Sequence, residues 1–263
     1  MDILDRIVQS KQAEVAAAAR ALPVGQLRAR AAARSDIRPF FEALAESPAG
    51  SPNIIAEIKR ASPSKGVICA DLDAAAQARA YAAGGAAALS VLTDGPYFKG
   101  SMADLLAARG AMDLPVLRKD FTVSAYQIYE AAAMGADAVL LIVRILAPSQ
   151  LRDFLALADE LGLAALVETH SPADMQTAIA CGARLVGINN RNLKTFETSL
   201  ETTVRMAAQL GPGQRAVAES GIHSRADIER LQAAGIHNFL VGESLVRAPD
   251  PAARLRFLRG VIP

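Results

Sequence analysis

Residues 131–143, AAAMGADAVLLIV, join an alanine-rich helical end, a glycine and an apolar strand. The same order recurs in YAAGGAAALSVLT (81–93), AIACGARLVGINN (178–190), LQAAGIHNFLVGE (231–243) and, in a shorter form, DELGLAALVET (159–169). Glycine suits the residue after a helix because it adopts the left-handed conformation there without steric cost. The aliphatic residues that follow do not alternate with polar ones, as is typical of parallel strands covered on both faces.

Eight segments of the chain fit such a repeated βα unit. The predicted strands lie at 53–58, 87–92, 115–119, 138–143, 163–168, 184–189, 215–219 and 238–242. The predicted helices lie at 72–83, 101–110, 124–134, 148–161, 172–181, 201–210, 224–234 and 250–259. Eight units spaced by roughly 20–30 residues favour an α/β fold of the (β/α)₈ TIM-barrel type. The structural alternative is a doubly wound open sheet, which usually has fewer strands.

The residues before the first strand are predicted to be helical. Apolar Ile3, Leu4, Ile7 and Val8 fit one face of a helix. We expect residues 1–45 to form an N-terminal extension of a single barrel domain that spans residues 1–263.

Composition excludes several classes of function. The 263 residues include 28 basic and 27 acidic side chains, so no overall positive field favours nucleic acid. Cys69 and Cys181 match no metal-ligand spacing and indicate free thiols in a reducing compartment. The N-terminus lacks a secretory pattern, and no apolar run has the roughly 20 residues that a membrane span needs. We therefore expect a soluble cytoplasmic protein without membrane or nucleic-acid partners.

The three histidines, His170, His223 and His237, show no ligand pattern. Each is interpreted as a solvated loop side chain.

Polar side chains stand in or beside the carboxyl ends of the predicted strands. The candidates are Glu57, Lys59, Lys119, Glu168 and Asn189, joined by Glu219 and Ser220 after the seventh strand. In a parallel barrel these strand ends meet at one rim, where barrel enzymes place their chemistry. Since an unpartnered buried charge is costly, several charges that converge on one cavity indicate a site.

The last two predicted strands end in glycine with small neighbours, as ESGIHS and VGESLV. Loops after strands seven and eight of a barrel often hold a phosphate through backbone N–H groups. Gly221 and Gly242 would let the anion approach the backbone closely. Lys59 and Ser62 follow strand one, which adjoins strand eight in a closed barrel, and are expected to reach the same anion.

Six motifs together resemble the indole-3-glycerol phosphate synthase family: AEIKRASPSKG, LSVLTDGPYFKGS, PVLRKDF, LVETH, GINNRNL and AESGI. They occur in the family's order, and the resemblance spans about residues 1–250. It implies a (β/α)₈ barrel whose N-terminal extension, residues 1–45, caps the carboxyl-terminal rim. It also implies a carboxy-lyase of tryptophan biosynthesis that uses no metal or organic cofactor. The substrate would be 1-(2-carboxyphenylamino)-1-deoxyribulose 5-phosphate, and the products indole-3-glycerol phosphate, carbon dioxide and water.

The resemblance also implies a role for each matching residue. Lys119 matches the general acid at the substrate ketone, and Glu168 the acid/base of dehydration. Lys59 matches a lysine that contacts the substrate carboxylate or phosphate, with Glu57 as its orienting carboxylate. The remaining matches are Asn189, Arg191, Glu219 and Ser220 as polar contacts, Phe98, Phe121, Leu140 and Leu193 around the anthranilate ring, and Ser62, Gly221, Gly242 and Glu243 at the phosphate.

Two expectations about charge accompany these roles. Apolar walls would lower the pKa of Lys119 and make it a proton donor near neutrality. Glu243 would repel a phosphate, so its side chain is expected to face away while its backbone N–H points inward.

Two other functions fit the same residues. The first is another enzyme of phosphorylated sugars, such as an isomerase or an aldolase-like lyase that forms a Schiff base at Lys119. The second is a phosphate-binding or regulatory barrel without catalysis, which would tolerate the loss of Lys119 or Glu168. The sequence predicts a monomer or weak homodimer that acts on a small sugar phosphate.

Overall fold

A computed structural model describes residues 3–45, 50–192 and 195–261. The barrel strands are β1 (Asn53–Ile58), β4 (Ala88–Leu92), β5 (Val116–Lys119), β6 (Ala138–Ile142), β7 (Ala164–Thr169), β8 (Leu185–Asn189), β9 (Arg215–Glu219) and β10 (Asn238–Val241). These eight parallel strands close into a barrel in the order β1-β10-β9-β8-β7-β6-β5-β4. A two-stranded hairpin, β2 (Ala61–Ser62) and β3 (Gly66–Val67), follows β1. The predicted (β/α)₈ fold is confirmed.

Helices cover the outside of the barrel and both of its ends. They are α1 (Ile3–Ala21), α2 (Val24–Ala32), α3 (Ala74–Gly84), α4 (Gly95–Phe98), α5 (Met102–Ala111), α6 (Ala125–Ala133), α7 (Pro148–Glu160), α8 (Pro172–Ala180), α9 (Glu201–Ala207), α10 (Arg225–Ala233), α11 (Glu243–Val246) and α12 (Pro251–Arg259). Short 3₁₀ turns occupy Glu42–Leu44 and Val143–Ile145. Among the described residues, no helix has the length and apolar character needed to cross a bilayer.

The repeated segment, in which glycine separates the end of a helix from a strand, reflects the hydrogen bonding of helix ends. The glycine in each of its five copies has a left-handed φ between 70° and 91°: Gly85, Gly135, Gly162, Gly182 and Gly235. Serine side chains accept backbone N–H bonds at the starts of α5, α6, α8 and α10. These caps satisfy groups that a helix end leaves unbonded. The eight predicted helices therefore begin within two residues and end within three residues of their predicted bounds.

Alternate residues of the barrel strands point into the barrel and form an apolar core. Its buried strand members are Ile55, Ala88, Leu117, Ala138, Leu140, Ile142, Leu166, Leu185, Val217 and Leu240. Phe40 and Leu44 of the extension belong to the same cluster. A second apolar cluster lies between the strands and the surrounding helices. The strands are thus buried on both faces, as their lack of alternation predicts.

The N-terminal extension reaches both ends of the barrel. Ile7 of α1 lines the cavity at the carboxyl end, and Lys11 forms ion pairs with Asp94 and Asp120 there. The chain then crosses to the amino end, where Arg215 at the start of β9 donates to the Ala45 carbonyl. The structure therefore differs from the expectation that all of residues 1–45 cap the carboxyl rim. Apolar residues at 40 and 44 are better buried beneath the barrel core than at a polar rim.

Candidate active site

One cavity at the carboxyl end of the barrel gathers the predicted site residues. Each described candidate lines it: Glu57, Lys59, Ser62, Phe98, Lys119, Phe121, Leu140, Glu168, Asn189, Arg191, Glu219, Ser220, Gly221, Gly242 and Glu243. Leu193 lies outside the described residues. The charged members extend the inward-facing rows of the barrel, since Glu57, Lys119, Glu168 and Glu219 each follow an interior apolar residue by two positions.

Lys119 is the cationic centre of the cavity. Its Nζ lies 3.1 Å from Oε2 of Glu168 and 3.7 Å from Oε2 of Glu219. Burial alone would lower the pKa of Lys119, but the charges of Glu168, Glu219 and Glu57 outweigh it and raise the pKa above its ordinary value. The expectation of a lowered pKa is therefore wrong, because the walls of this cavity carry carboxylates as well as apolar groups.

The two carboxyl groups beside Lys119 have pKa values that are shifted in opposite directions. Burial would raise the pKa of Glu168, but Lys119 and His170 lower it below the ordinary range. Burial and the charge of Glu168 raise the pKa of Glu219 well above the ordinary range. Like charges at short range cannot both ionise easily. Of the two carboxyl groups, the charges around them thus favour ionisation of Glu168 and retention of the proton by Glu219.

Glu57 and Lys59 form the second ion pair of the cavity. Nζ of Lys59 lies 2.6 Å from Oε1 of Glu57, and both side chains are largely buried. Gly242 of the neighbouring β10 end leaves room for them, because a Cβ there would meet the Glu57 carboxylate at 2.6 Å and Nζ of Lys59 at 3.0 Å. Any side chain at residue 242 would therefore displace this pair.

The ends of β9 and β10 form a narrow polar corner. Ser220 and Gly221 have consecutive left-handed φ values of 65° and 76°. Such a conformation is costly for serine and is found mainly at functional sites. The carboxylate of Glu243 turns toward Arg247, with Oε1 3.1 Å from Nε, and lies 3.8 Å from Nζ of Lys65. Its negative charge is thus balanced at the rim.

Apolar side chains build the opposite wall. The rings of Phe98 and Phe121 lie 6.0 Å apart between centroids with an interplanar angle of 42°. Leu140 of β6 completes this wall. The arrangement offers a flat aromatic group a dry surface beside the Lys119 ammonium.

Asn189 and Arg191 connect the centre of the cavity to the loop after β8. Asn189 donates from Nδ2 to Oε1 of Glu168 at 3.3 Å and accepts the backbone N–H of Arg191 at 3.0 Å. Arg191 donates from its guanidinium to the Phe196 carbonyl at 3.0 Å. Ser62, in β2, lines the mouth of the cavity on the other side.

Comparison with known proteins assigns the chain to a family. The family described as indole-3-glycerol phosphate synthase matches residues 4–258. The chain is 57% identical over 258 residues to the indole-3-glycerol phosphate synthase of Desulfosudis oleivorans, with 98% of each chain covered. It is 51% identical to the protein of that name from Laribacter hongkongensis, again with 98% of each chain covered.

The chain belongs to the indole-3-glycerol phosphate synthase family. The resemblance predicted from the six motifs is confirmed, and with it the class of decarboxylating lyase in tryptophan biosynthesis. Among solved structures, thiamine phosphate pyrophosphorylase from Pyrococcus furiosus shares the barrel fold, with a TM-score of 0.59 and 16% identity over 81% of this chain and 95% of that one. A likeness of that level concerns the fold alone.

Sequence reasoning missed several residues around the cavity of this family member. His170 is not a solvated loop residue, because its side chain is 2% exposed and its Nε2 lies 3.2 Å from Oε1 of Glu168. Ile3, Leu4 and Ile7 of α1 also line the cavity, as does Lys65 of the loop between β2 and β3. His170 stands two residues beyond Glu168, so the two-residue period of the strand was the available signal. His223, by contrast, is exposed as predicted.

Proposed function

We propose that this cavity closes the indole ring of 1-(2-carboxyphenylamino)-1-deoxyribulose 5-phosphate and releases indole-3-glycerol phosphate, carbon dioxide and water. The observation that carries the proposal is the Lys119 ammonium, held between Glu168 and Glu219 beside an aromatic wall. Ring closure joins the carboxyl-bearing ring carbon to the ketone carbon. Negative charge then develops on the ketone oxygen, where a buried cation stabilises it most.

Lys119 is the proton donor to this oxygen. Because its pKa is raised, the amine carries its proton throughout the neutral range. An ammonium is a weak acid toward a ketone but a strong one toward an alkoxide. The proton therefore transfers late, as the new carbon–carbon bond forms. The bond between the ring and the carboxylate then breaks, carbon dioxide leaves, and the electrons of that bond stay with the ring, which restores the aromatic system.

Glu168 is the base of the dehydration that follows. The hydroxyl group departs as water, and the methylene next to nitrogen loses a proton to complete the indole. Once Lys119 has donated its proton, Glu168 loses the charge that lowers its pKa most. The first step thus makes Glu168 a better base for the last one. The departing hydroxyl takes a proton either from Lys59, which has kept its own, or from Lys119 after it has regained one from water, since both side chains face the cavity.

The remaining residues bind the substrate. The corner formed by Ser220, Gly221 and Gly242 is proposed to hold the phosphate through backbone N–H groups, with Ser62 and Lys59 on its open side and Glu243 turned away. The Phe98–Phe121 wall is proposed to hold the anthranilate ring with Leu140. Arg191 and Asn189 are proposed to contact the polar groups of the sugar chain.

A lyase that forms a Schiff base is the competing assignment. A lysine that attacks a carbonyl must be neutral, and such lysines have lowered pKa values. The pKa of Lys119 is raised, which favours proton donation over nucleophilic attack.

The test is an assay of indole fluorescence with the carboxyphenylamino sugar phosphate, with carbon dioxide release measured in parallel. We expect both products in equal amounts and no adduct on borohydride treatment. Absence of fluorescence, or a reduced covalent adduct at Lys119, would overturn the proposal.

We further propose that the enzyme works in the cytoplasm as a monomer or weak homodimer. The residues proposed for the chemical steps, Lys119, Glu168 and Lys59, meet in one cavity of a single chain. The two cysteines are not joined to each other, as suits a reducing compartment. Light scattering across a dilution series tests the assembly, and a tight dimer or larger oligomer would contradict it.

A further inference from the structure

His170 contacts the proposed base of the reaction but has no place in the mechanism above. It follows the last residue of β7, and its side chain is 2% exposed. Its backbone N–H donates to Oδ2 of Asp174 at 2.8 Å, which anchors the residue at the start of α8. Nε2 lies 3.2 Å from Oε1 of Glu168. Within the described residues, neither ring nitrogen has a hydrogen bond of good geometry.

The contact with Glu168 determines where the imidazole carries its hydrogen. A nitrogen lone pair 3.2 Å from a carboxylate oxygen would be repelled, so Nε2 must bear the hydrogen. Nδ1 has no acceptor among the described residues, and a buried N–H without an acceptor is costly. The neutral tautomer with hydrogen on Nε2 satisfies both conditions.

The two oxygens of Glu168 have different partners. Oε1 faces the Nδ2 of Asn189 at 3.3 Å and the Nε2 of His170 at 3.2 Å. Oε2 faces only the Lys119 ammonium at 3.1 Å among these three groups. When Lys119 gives its proton to the substrate, Oε2 is released while Oε1 keeps its contacts with Asn189 and His170.

We infer that His170 is a positioning residue that holds Oε1 of Glu168 and leaves Oε2 as the atom that takes the proton in the last step. The inference rests on the proposed function, since it presupposes that Glu168 is the base. Without His170, the carboxylate would rotate about its terminal torsion, which is broad in glutamate, and present either oxygen. The proton transfer would slow while substrate binding, which involves other residues, would persist.

The test compares three variants in the fluorescence assay. His170→Leu removes the polar contact with the Glu168 carboxylate, and we expect kcat to fall by about 10- to 100-fold while KM stays within about 3-fold. His170→Gln places an amide N–H near the position of Nε2 and should recover most of kcat. His237→Leu is the matched control: this histidine precedes β10 at the amino end of the barrel, and its loss should leave kcat unchanged.

A deuterium isotope effect separates positioning from general damage. With substrate deuterated at the methylene next to nitrogen, we expect a larger effect on kcat in His170→Leu than in wild type, because proton removal becomes slower. Thermal unfolding and circular dichroism check that each variant folds, and if the leucine variant does not, His170→Phe, which keeps a buried ring but has no donor, takes its place in the kcat and isotope measurements.

The outcomes distinguish two failures. If wild type forms no indole, the proposed function fails. If wild type forms indole but His170→Leu keeps its kcat, or loses it with an unchanged isotope effect and no recovery in His170→Gln, only the positioning role is overturned.

Discussion

The two ends of this barrel each contain a cluster of buried charges. The clusters differ in whether all of their polar atoms have hydrogen-bond partners within the protein. At the amino end, Asp137 is fully buried, and each of its oxygens has two donors. Oδ1 accepts from Arg34 and the backbone N–H of Arg38, and Oδ2 from Arg109 and the backbone N–H of Val116, all at 2.6–2.9 Å. This carboxylate has no bonding capacity left for a ligand.

At the carboxyl end, several buried polar atoms have no hydrogen-bond partner among the described residues. Oε1 of Glu219, Nδ1 of His170 and Oγ of Ser244 are buried without a hydrogen bond among the described residues. All three residues line the cavity. Unpaired buried polar groups are costly, and native proteins keep few of them.

The comparison shows that buried charge by itself does not identify a site. Both clusters bury ion pairs, and both tie distant parts of the chain together. The amino-end cluster fastens the extension to the barrel through Arg34 and Arg109. The carboxyl-end cluster contains buried polar atoms without a hydrogen-bond partner, and a bound substrate can supply those partners. This is the difference expected between a structural and a catalytic network.

The largest expected effect is a slower formation of indole in the variant Lys119→Ala. Removing the ammonium removes the proton donor, and kcat/KM for indole formation should fall by about 10³-fold. The variant should keep the circular dichroism spectrum of the wild type. Indole formation at nearly the wild-type rate would show that the carboxyl-end cluster is structural like the other one.

The second effect is on stability, from Asp137→Asn. The change leaves Arg34 and Arg109 buried without their carboxylate, so the free energy of unfolding should fall by about 3–5 kcal/mol. Denaturant unfolding measures this, and kcat/KM of the folded fraction should stay near wild type. The control is Asp36→Asn, which contacts the same two arginines from a side chain that is 69% exposed and should cost less than about 1 kcal/mol. Equal losses would contradict the structural assignment.

The third effect is a loss of local stability in α1, caused by the substitution Lys11→Met. Lys11 is almost fully buried against Asp94 and Asp120, and their charges raise its pKa despite burial. Its loss should open α1 locally, increasing hydrogen exchange of the helix by about 100-fold, and should raise KM because Ile7 leaves the cavity wall.

Glu14→Gln is the control for α1. It removes the most exposed partner of the same lysine and should change exchange little. If Lys11→Met leaves both exchange and KM unchanged, α1 does not contribute to the site.

The smallest effect is a change in the pH dependence of stability, from Glu219→Gln. Burial and the Glu168 charge raise the pKa of Glu219 in the folded state. The unfolded chain releases this proton first, so wild-type stability falls as pH rises from the ordinary glutamate pKa toward the folded-state value. The glutamine variant lacks that loss and should gain on the order of 1 kcal/mol, or about 2–4 °C in Tm, at neutral pH but not at pH below about 4. An equal gain at both pH values would contradict the raised pKa.

Most of the fold follows from local chemistry and was predictable. Glycine after a helix and serine before one act within a few residues, so each of the eight barrel strands lies within one residue of its predicted bounds. The cavity residues were predictable for a related reason. Glu57, Lys119 and Glu168 lie on strands whose carboxyl ends must meet in any parallel barrel.

Long-range contacts account for what the sequence did not predict. The position of Phe40 beneath the barrel depends on the path of the chain from α2, which no local signal specifies. The pKa of Lys119 depends on Glu168 and Glu219, which approach it only in the closed barrel. The burial of His170 depends likewise on the wall that surrounds it. The hairpin of β2 and β3 and the short helices α4 and α11 were also absent from the prediction.

The charge of Lys119 in the free enzyme is the property on which this account depends most. It can be measured by ¹³C NMR of enzyme labelled at the lysine ε-carbon, with the signal assigned by its loss in Lys119→Ala. We predict an ammonium signal that does not titrate from about pH 6 to about pH 10, and a lower midpoint in Glu168→Gln. A wild-type midpoint near neutrality would contradict the account, since the amine would then be largely uncharged before the substrate arrives.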